Sequence, residues 1–198
     1  MITLYHAPRS RSSRFIFLLE ELGAPYEIKP VSIRRSDGSG AADKTNPHPH
    51  AKTPTITDDG VVIFESTAIA LYLTDKFPQN RIGPQTGERL RGPYLSWLAY
   101  YAGVMEPAWV SKFLKVAVPR GTAGWVDADE VMTFVNRTLE AGPYILGEAF
   151  SAVDILVGTT FALFMGSPIL AKTPLLEAYV KRVVERPAFA RAQEKDHG

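Results

Sequence analysis

The chain has 198 residues, no cysteine, and a formal net charge of +1 from 22 basic and 21 acidic side chains. This length suits one large domain or two small ones, and the balanced charge argues against a nucleic-acid-binding surface or a polybasic membrane anchor. The lack of cysteine excludes disulfides, thiolate metal sites, a redox pair and a cysteine nucleophile.

The first 77 residues predict alternating strands and helices. Residues 2–5, Ile-Thr-Leu-Tyr, predict a strand. A helix follows, because its apolar residues recur at i, i+3, i+4 and i+7: Phe15, Leu18, Leu19 and Leu22. Gly23 then ends this helix, as expected of a C-terminal cap. Residues 26–29 alternate as a second strand, and Pro30, which cannot donate to a ladder, predicts a position at a sheet edge.

A hairpin is predicted after the polar stretch 34–50. Two apolar runs, 55–57 and 61–64, flank an Asp-Asp-Gly sequence, and Asp-Gly between such runs is a strong hairpin signal. Ser66 opens a further helix. The predicted order is therefore β-α-β, a loop and then β-β-α, which makes residues 1–78 an α/β domain.

The rest of the chain predicts a linker followed by helices alone. Residues 79–87 are rich in proline, glycine and polar side chains, which is typical of a linker. Residues 88–198 have helical periodicity throughout. The predicted helices run from about 88 to 115, 127 to 140, 152 to 165 and 174 to 185, with a short one from Pro187. The second domain is thus predicted to be all-α.

The sequence predicts a cytoplasmic protein without a membrane partner. Its N-terminus lacks the basic-then-apolar pattern of a signal peptide. The longest apolar stretch, 155–166, is too short to span a bilayer.

The segment 9–13, which joins the first strand to the first helix, contains three serines. A helix N-terminus favours anions, because its unpaired N–H groups carry partial positive charge. Ser12 or Ser13 is expected to cap this helix. At least one hydroxyl is then left over, and it is a candidate for donating a hydrogen bond to a bound anion.

The step Thr53-Pro54, directly before the third strand, has two interpretations. By itself, the tetrapeptide 52–55 favours the first interpretation, an ordinary trans proline at the start of a strand. A cis bond would instead expose the backbone N–H and C=O of Thr53, so that an extended peptide could pair with them.

Glu65 and Ser66 lie where the fourth strand passes into the second helix. Ser66 could be only a cap and Glu65 only a favourable charge at the helix end. As a pair they could also hold a zwitterionic amino-acid head group, with Glu65 binding the ammonium and Ser66 the carboxylate.

The sequence Ser151-Ala152-Val153-Asp154 precedes an apolar run and matches a variant of the capping box. Phe150 and Ile155 are placed to staple the turn. We therefore expect Asp154 to be buried and to serve folding rather than chemistry.

In five features taken together, the sequence resembles the cytosolic glutathione transferases. These features are the β-α-β and β-β-α order ahead of a helical domain, the serine-rich first turn, Thr53-Pro54, Glu65-Ser66 and the Ser-x-x-Asp box. The resemblance covers essentially the whole chain. It implies a thioredoxin-like N-terminal domain with a mixed four-stranded sheet and a cis Pro54, an all-helical C-terminal domain that forms the hydrophobic substrate pocket, and a homodimer.

The resemblance also implies how glutathione is held. Thr53, next to Pro54, would pair through its backbone with the cysteinyl part. Glu65 and Ser66 would hold the γ-glutamyl group. Lys52, with His50, would meet the glycyl carboxylate. The expected ligands are therefore glutathione, as co-substrate, and a small hydrophobic electrophile, with no metal and no nucleic acid.

Three residues are candidates for activating the glutathione thiol. Similar families use a tyrosine at the end of the first strand or a serine or cysteine at the start of the first helix. We rank Ser10 first, Ser12 second and Tyr5 third. The activity implied is addition of the thiolate to an electrophile, and the alternative is a non-catalytic glutathione-binding or regulatory protein with the same fold.

An aromatic cluster opens the predicted second domain and has two interpretations. Its residues near one helix face are Tyr94, Trp97, Tyr101 and Met105. Such spacing is what a core helix shows, but it also suits the wall of an apolar pocket, for which Tyr101, Met105 and Trp109 are our candidates. Similar proteins tend to carry an acidic residue where Gly103 stands. Glu106 is the candidate for replacing it in any contact that this region makes with glutathione from the second subunit.

Overall fold

The computed structural model describes residues 1–196, which form two compact units. The first comprises Met1–Asn80 together with the C-terminal helix, and the second comprises Arg81–Arg186. Within the first unit lies one mixed sheet whose strands are β1 (Ile2–His6), β2 (Tyr26–Pro30), β3 (Thr55–Asp58) and β4 (Val61–Phe64).

The sheet has the order β2-β1-β3-β4. Strand β1 is parallel to β2 and antiparallel to β3, and β3 is antiparallel to β4. The mixed four-stranded sheet is therefore confirmed, as is the edge position predicted for β2. The β3–β4 turn is the predicted hairpin: Asp59 and Gly60 both have positive φ, 47° and 84°, the conformation that a two-residue loop requires to match strand twist.

Two helices of the first unit follow the predicted positions. Helix α1 is Ser13–Leu22 and helix α2 is Ser66–Lys76. Gly23 ends α1 in the left-handed conformation that glycine adopts without steric cost. The apolar side chains that α1 and the sheet bury include Leu4, Phe15, Leu18, Leu19 and Ile56. Between β2 and β3 the chain runs through turns and bends, as predicted for the polar stretch.

The second unit contains five α-helices: α3 (Arg91–Tyr100), α4 (Glu106–Leu114), α5 (Ala128–Glu140), α6 (Ala152–Phe164) and α7 (Pro174–Val184). The helix predicted from about 88 to 115 is helical from Arg91 to Leu114, but its middle residues, Tyr101–Met105, form a π-helical turn between α3 and α4. Pro107 explains the wider turn. Proline lacks an N–H and its ring clashes with the carbonyl four residues earlier, here that of Gly103. The Glu106 N–H bonds the carbonyl of Tyr101, five residues back.

The last helix, α8 (Pro187–Asp196), packs on α1 within the first unit. The Phe17 and Phe189 rings meet edge to face at 5.4 Å between centroids. Glu20 of α1 accepts hydrogen bonds from Arg191 and Lys195. The predicted helical domain, 88–198, included this helix, whereas the structure groups it with the sheet.

Replacing Glu20 with glutamine is expected to destabilise the protein at pH 7 by about 1–3 kcal/mol. Burial by itself would raise the pKa of Glu20, but hydrogen bonds from Lys195, Tyr26 and Arg191 lower it to about 2. A carboxylate with a lowered pKa stabilises the fold above its unfolded pKa, and this stabilisation disappears as the pH falls from about 4.5 through about 2. Urea unfolding at pH 7 and pH 3 measures both effects.

Exposed Glu194, on α8, supplies the matched control. The Glu194→Gln variant is expected to unfold like the parent at both pH values. If Glu20→Gln lost as much stability between pH 7 and pH 3 as the parent, the carboxylate of Glu20 would not be the group that ties α8 to α1.

Within residues 1–196, no helix is long and apolar enough to cross a membrane. The same residues contain no group of three or more His, Asp or Glu side chains placed to hold a metal ion.

Candidate glutathione site

Three chain segments meet at one edge of the sheet because of the strand register. Tyr5, near the end of β1, is paired with Thr55 at the start of β3, and Thr55 is paired with Phe64 at the end of β4. The loop after β1, the Thr53-Pro54 step before β3 and Glu65 after β4 therefore begin side by side. Each of the three motifs singled out in the N-terminal domain lies at this edge.

Ser10 lies in the turn between β1 and α1 and is half-buried. Its Oγ is 2.7 Å from Ser12 Oγ and 3.1 Å from Thr53 Oγ1, and it accepts a hydrogen bond from the Ser12 N–H at 3.2 Å. Two motifs that are 43 positions apart in sequence are thus joined through their hydroxyls. Among the ranked candidates, Ser10 is the one in direct contact with Thr53.

The expectation that Ser12 or Ser13 caps α1 was wrong. Ser12 already has helical backbone angles, φ −73° and ψ −22°, whereas a capping residue normally has extended ones. Its hydroxyl is turned away from the helix toward His6 Nδ1, at 2.9 Å, and toward Ala7. Ser13 Oγ instead accepts from the Ser10 N–H. The three serines therefore form a local network in place of a cap.

The Thr53-Pro54 bond is cis, as the family resemblance implied and the tetrapeptide alone did not. The preceding carbonyl, that of Lys52, accepts hydrogen bonds from buried Asn46 Nδ2 at 2.9 Å and from Thr55 Oγ1 at 3.2 Å. These contacts hold the turn from both sides. The Lys52 side chain is exposed.

His48 and His50 have different surroundings. The His48 ring packs edge to face against Phe64 at 5.3 Å, and its Nδ1 accepts the His50 N–H at 3.0 Å. Burial lowers the pKa of His48, with the charges of His50 and Lys52 adding to the effect and that of Glu65 opposing it. His48 therefore braces the loop as a neutral ring. The His50 side chain is exposed, on the same loop as Lys52.

Glu65 has a positive φ of 71° and occupies the N-cap position of α2, followed by half-buried Ser66. Positive φ is uncommon for a residue other than glycine and implies a constraint that outweighs the local steric cost. The Glu65 side chain is exposed, and the Ser66 N–H lies in the first turn of a helix, where backbone N–H groups suit an anion.

The Tyr5 side chain lies on the other face of the sheet from His6, the residue of β1 that contacts the serine network. Side chains alternate along a strand, so Tyr5 lies on the opposite sheet face from Leu4 and His6. The Lys29 Nζ lies 5.3 Å from the centroid of its ring. The structure thus records a partner for Tyr5 on β2, while Ser10 is linked to His6 through Ser12.

Two residues that the sequence analysis did not single out, His6 and Asp196, complete the network. His6 Nε2 lies 3.3 Å from Asp196 Oδ1 and 3.4 Å from the Asp196 carbonyl oxygen. Both residues are buried, with 1% and 4% of their surfaces exposed. Burial lowers the pKa of His6, although Asp196 acts in the opposite direction. His6 is inward-facing on its strand, but no local pattern points to a partner 190 positions away.

The three candidate pocket residues of the second unit are buried there. The Tyr101 hydroxyl donates to Glu106 Oε1 at 2.8 Å and lies 3.0 Å from Thr160 Oγ1. Met105 has no exposed surface, and Trp109 packs edge to face on Phe161 at 5.6 Å. This placement agrees with the core interpretation of the aromatic spacing.

A thioredoxin-like sheet with a cis proline ahead of β3, followed by a helical unit, defines the class of glutathione-binding transferase folds. Residues 4–81 match the N-terminal domain of glutathione S-transferases. Glutathione S-transferase 3 of Schizosaccharomyces pombe is 30% identical over 98% of this chain and 88% of its own length. A disulfide-bond oxidoreductase from Escherichia coli is 28% identical over 97% of this chain and 94% of its own length.

Solved structures of glutathione transferases have the same fold as this chain. A glutathione S-transferase from Actinobacillus pleuropneumoniae superposes with a TM-score of 0.80 at 26% identity, covering 100% of this chain and 94% of that one. A sphingomonad glutathione S-transferase complexed with glutathione gives a TM-score of 0.77 at 25% identity, covering 98% of each chain. The chain belongs to the glutathione S-transferase family.

Proposed function

We propose that this protein is a glutathione transferase in which the Ser10 hydroxyl stabilises the glutathione thiolate for addition to a hydrophobic electrophile. The observation that carries the proposal is the contact of 3.1 Å between Ser10 Oγ and Thr53 Oγ1. A cysteinyl group paired with the Thr53 backbone would have its sulfur close to Ser10. The similar sphingomonad enzyme, whose structure contains glutathione, supports the choice of ligand.

The remaining groups at the sheet edge account for the ends of the tripeptide. Glu65 offers a carboxylate for the γ-glutamyl ammonium, and Ser66 with the first turn of α2 offers donors for its carboxylate. Exposed Lys52 and His50 are placed on one loop to meet the glycyl carboxylate. Residues of both charges are thus available where glutathione carries the opposite charges.

One hydroxyl and a helix end are sufficient to activate the thiol. A thiol pKa of about 8.5 must fall by about two units for the thiolate to dominate at neutral pH, which requires roughly 2.7 kcal/mol. A hydrogen bond to a charged acceptor supplies roughly 1.5–3 kcal/mol, and a helix N-terminus adds about 0.3–1 kcal/mol. In the thiolate complex Ser10 is an intact hydroxyl that donates a hydrogen bond to the sulfur.

We propose that the helical domain supplies the apolar surroundings of the electrophile, and that Tyr101, Met105 and Trp109 shape this pocket. All three side chains are buried within the helical unit. We also propose a cytoplasmic homodimer. Exposed apolar side chains on β4, Val61 and Phe64 among them, support an interaction surface on the first unit.

Ultraviolet titration of the bound thiol tests the proposal. Glutathione is bound to the protein, and thiolate absorbance is followed with pH, with S-methylglutathione as the reference that lacks an ionisable thiol. We expect half-ionisation about two pH units below that of free glutathione. Turnover is then measured with a generic aromatic electrophile.

The alternative, a non-catalytic glutathione-binding or regulatory protein, predicts capture on immobilised glutathione, an unshifted thiol titration and no turnover. Failure of capture would contradict both functions. The similar Escherichia coli oxidoreductase makes disulfide substrates a useful second assay, in which glutathione supplies the sulfur because this chain has no cysteine.

A further inference from the structure

A continuous chain of polar contacts runs from helix α8 to the proposed thiol-binding hydroxyl. It begins at Asp196, passes through His6 and Ser12, and ends at Ser10. The successive distances are 3.3 Å from Asp196 Oδ1 to His6 Nε2, 2.9 Å from His6 Nδ1 to Ser12 Oγ, and 2.7 Å from Ser12 Oγ to Ser10 Oγ. The first three members are buried, and only Ser10 is partly exposed.

The partners of His6 determine where its proton lies. Nε2 faces the carboxylate and the carbonyl oxygen of Asp196, and both groups only accept hydrogen bonds. The neutral ring therefore carries its proton on Nε2, which leaves Nδ1 as an acceptor. Ser12 must then donate to Nδ1, because that contact, at 2.9 Å, is shorter than its 3.3 Å contact with the Ala7 carbonyl.

This arrangement fixes the direction of the next hydrogen bond. The Ala7 N–H donates to Ser12 Oγ at 3.2 Å and occupies one of its two lone pairs. The other lone pair faces Ser10 Oγ, so Ser10 donates to Ser12. In the resting protein the Ser10 proton therefore points into the protein, away from the position proposed for the sulfur.

We propose that this chain relays the proton of the bound glutathione thiol to His6. The proposal rests on the proposed function. The S–H bond breaks as the thiol proton is taken by Ser10 Oγ, at the lone pair that faces Thr53 Oγ1 in the absence of ligand. Ser10 passes its own proton to Ser12, and Ser12 passes its proton to His6 Nδ1. The products are a thiolate that accepts a hydrogen bond from Ser10 and an imidazolium beside the Asp196 carboxylate, with no change in total charge.

The surroundings of His6 suit both ends of this transfer. Burial lowers the pKa of His6, which keeps the ring neutral and Nδ1 available before glutathione binds. Asp196 Oδ1 is buried and has no hydrogen-bond partner within residues 1–196, and an unsatisfied buried carboxylate oxygen costs free energy. Protonation at Nδ1 puts a positive charge on the ring whose Nε2 lies 3.3 Å from this oxygen, which favours the charged form of His6.

Asp196 is the charged side chain placed against His6 in the described part of the chain. It lies on α8, and its other oxygen, Oδ2, accepts the backbone N–H of Arg9 at 3.3 Å. The neighbouring positions of the β1–α1 turn contribute the Ser12 hydroxyl and the Ala7 backbone. His6 does not touch the sulfur, so it acts as a positioning residue that receives a proton through Ser12 and Ser10.

The relay differs from simple hydrogen bonding in the fate of the proton. If Ser10 only donates to a thiolate, each thiolate formed on binding releases one proton to the buffer. If His6 takes the proton, thiolate forms while the proton stays in the protein. The number of protons released per thiolate formed is therefore the decisive quantity.

Two measurements on the intact protein at pH 7 provide this number. Titration calorimetry with glutathione in buffers of different ionisation enthalpy counts the protons released, and ultraviolet absorbance counts the thiolates. We expect well under one proton released per thiolate. Nitrogen-15 NMR is expected to show His6 becoming doubly protonated with glutathione but not with S-methylglutathione.

Substitutions separate the members of the chain. Asp196→Asn removes the counter-charge and retains an oxygen for the Arg9 N–H, so proton release per thiolate should rise toward one. The pKa of the bound thiol should rise by about one unit, a tenfold lower ratio of thiolate to thiol. Ser12→Ala interrupts the relay and should have the same effect. Ser13→Ala removes a neighbouring hydroxyl outside the chain, and we expect proton retention to be unchanged.

The outcomes distinguish the relay from the function on which it rests. One proton released per thiolate in the parent protein, with His6 still neutral by NMR, overturns the relay and leaves the transferase intact. Bound glutathione that forms no thiolate overturns both. Because the NMR measurement uses the unmodified protein, it decides the matter even if Ser12→Ala fails to fold.

Discussion

Replacing Ser10 with alanine is expected to lower kcat/KM for a generic aromatic electrophile about 10- to 100-fold, because the thiolate loses one charge-assisted hydrogen bond of roughly 1.5–3 kcal/mol. The affinity for glutathione should change much less, since the proposed contacts of Thr53, Glu65 and Ser66 with the rest of the tripeptide remain. The first turn of α1 retains its backbone N–H groups, so residual activity should remain. Initial rates over a range of both substrates separate kcat from KM.

Three variants make this prediction specific. Ser10→Thr keeps the hydroxyl and should retain most of the activity. Ser13→Ala removes a hydroxyl that accepts the Ser10 N–H and should have little effect. Tyr5→Phe tests the third-ranked candidate, which lies on the other face of the sheet. If Tyr5→Phe abolished turnover while Ser10→Ala left it intact, the assignment of the activating group would be wrong.

The fold of the first unit was largely predictable because its signals are local. The helical spacing of Phe15, Leu18 and Leu19, the cap at Gly23 and the Asp59-Gly60 turn each specify a conformation within a few residues. Such short-range preferences do not depend on the rest of the chain. They were sufficient to give the element order and, with the family resemblance, the mixed sheet.

Features that depend on distant residues were not predictable in this way. The contact of α8 with α1 depends on Glu20 and on residues about 170 positions later. The partner of His6 is equally remote. The π-helical turn at Tyr101–Met105 is a different case, because Pro107 supplied a local signal for an irregular turn that the apolar spacing concealed.

The serine-rich turn shows why motif recognition and geometry are both needed. A serine before a helix usually predicts a cap, and the family resemblance supplied a functional alternative without saying which hydroxyl it concerned. The structure gives Ser12 a buried partner, His6, and gives Ser10 a contact with Thr53. The ranking of Ser10 over Ser12 therefore acquires a physical basis, since only Ser10 is open to a ligand.

Replacing Asp154 with alanine is expected to have the largest effect on stability, a loss of roughly 3–5 kcal/mol, because each buried donor left without a partner costs about 1–3 kcal/mol. Asp154 Oδ1 accepts the Ile145 N–H at 2.8 Å and the Tyr179 hydroxyl at 3.0 Å. Its Oδ2 accepts both the N–H and the hydroxyl of Ser151. The predicted capping box is thus present, and it also joins α6 to α7.

The pH dependence of this effect has a definite sign. Burial raises the pKa of Asp154 to about 6, even though its hydrogen bonds act in the opposite direction. An acid whose pKa is raised by folding makes the protein most stable where it is protonated, and its contribution decreases as the pH rises from about 4 through about 6. The alanine variant lacks this contribution, so the stability difference between the two proteins should be larger at pH 4 than at pH 7.

Asp127 offers a matched control, because it is also an aspartate at a helix N-terminus but is exposed. Its Oδ1 accepts the N–H groups of Asp129 and Glu130, and Asp127→Ala should cost only about 1 kcal/mol. Urea unfolding followed by circular dichroism compares the two variants. Equal losses would show that Asp154 acts as an ordinary cap, and that neither its burial nor its contact with Tyr179 adds to the stability of the helical unit.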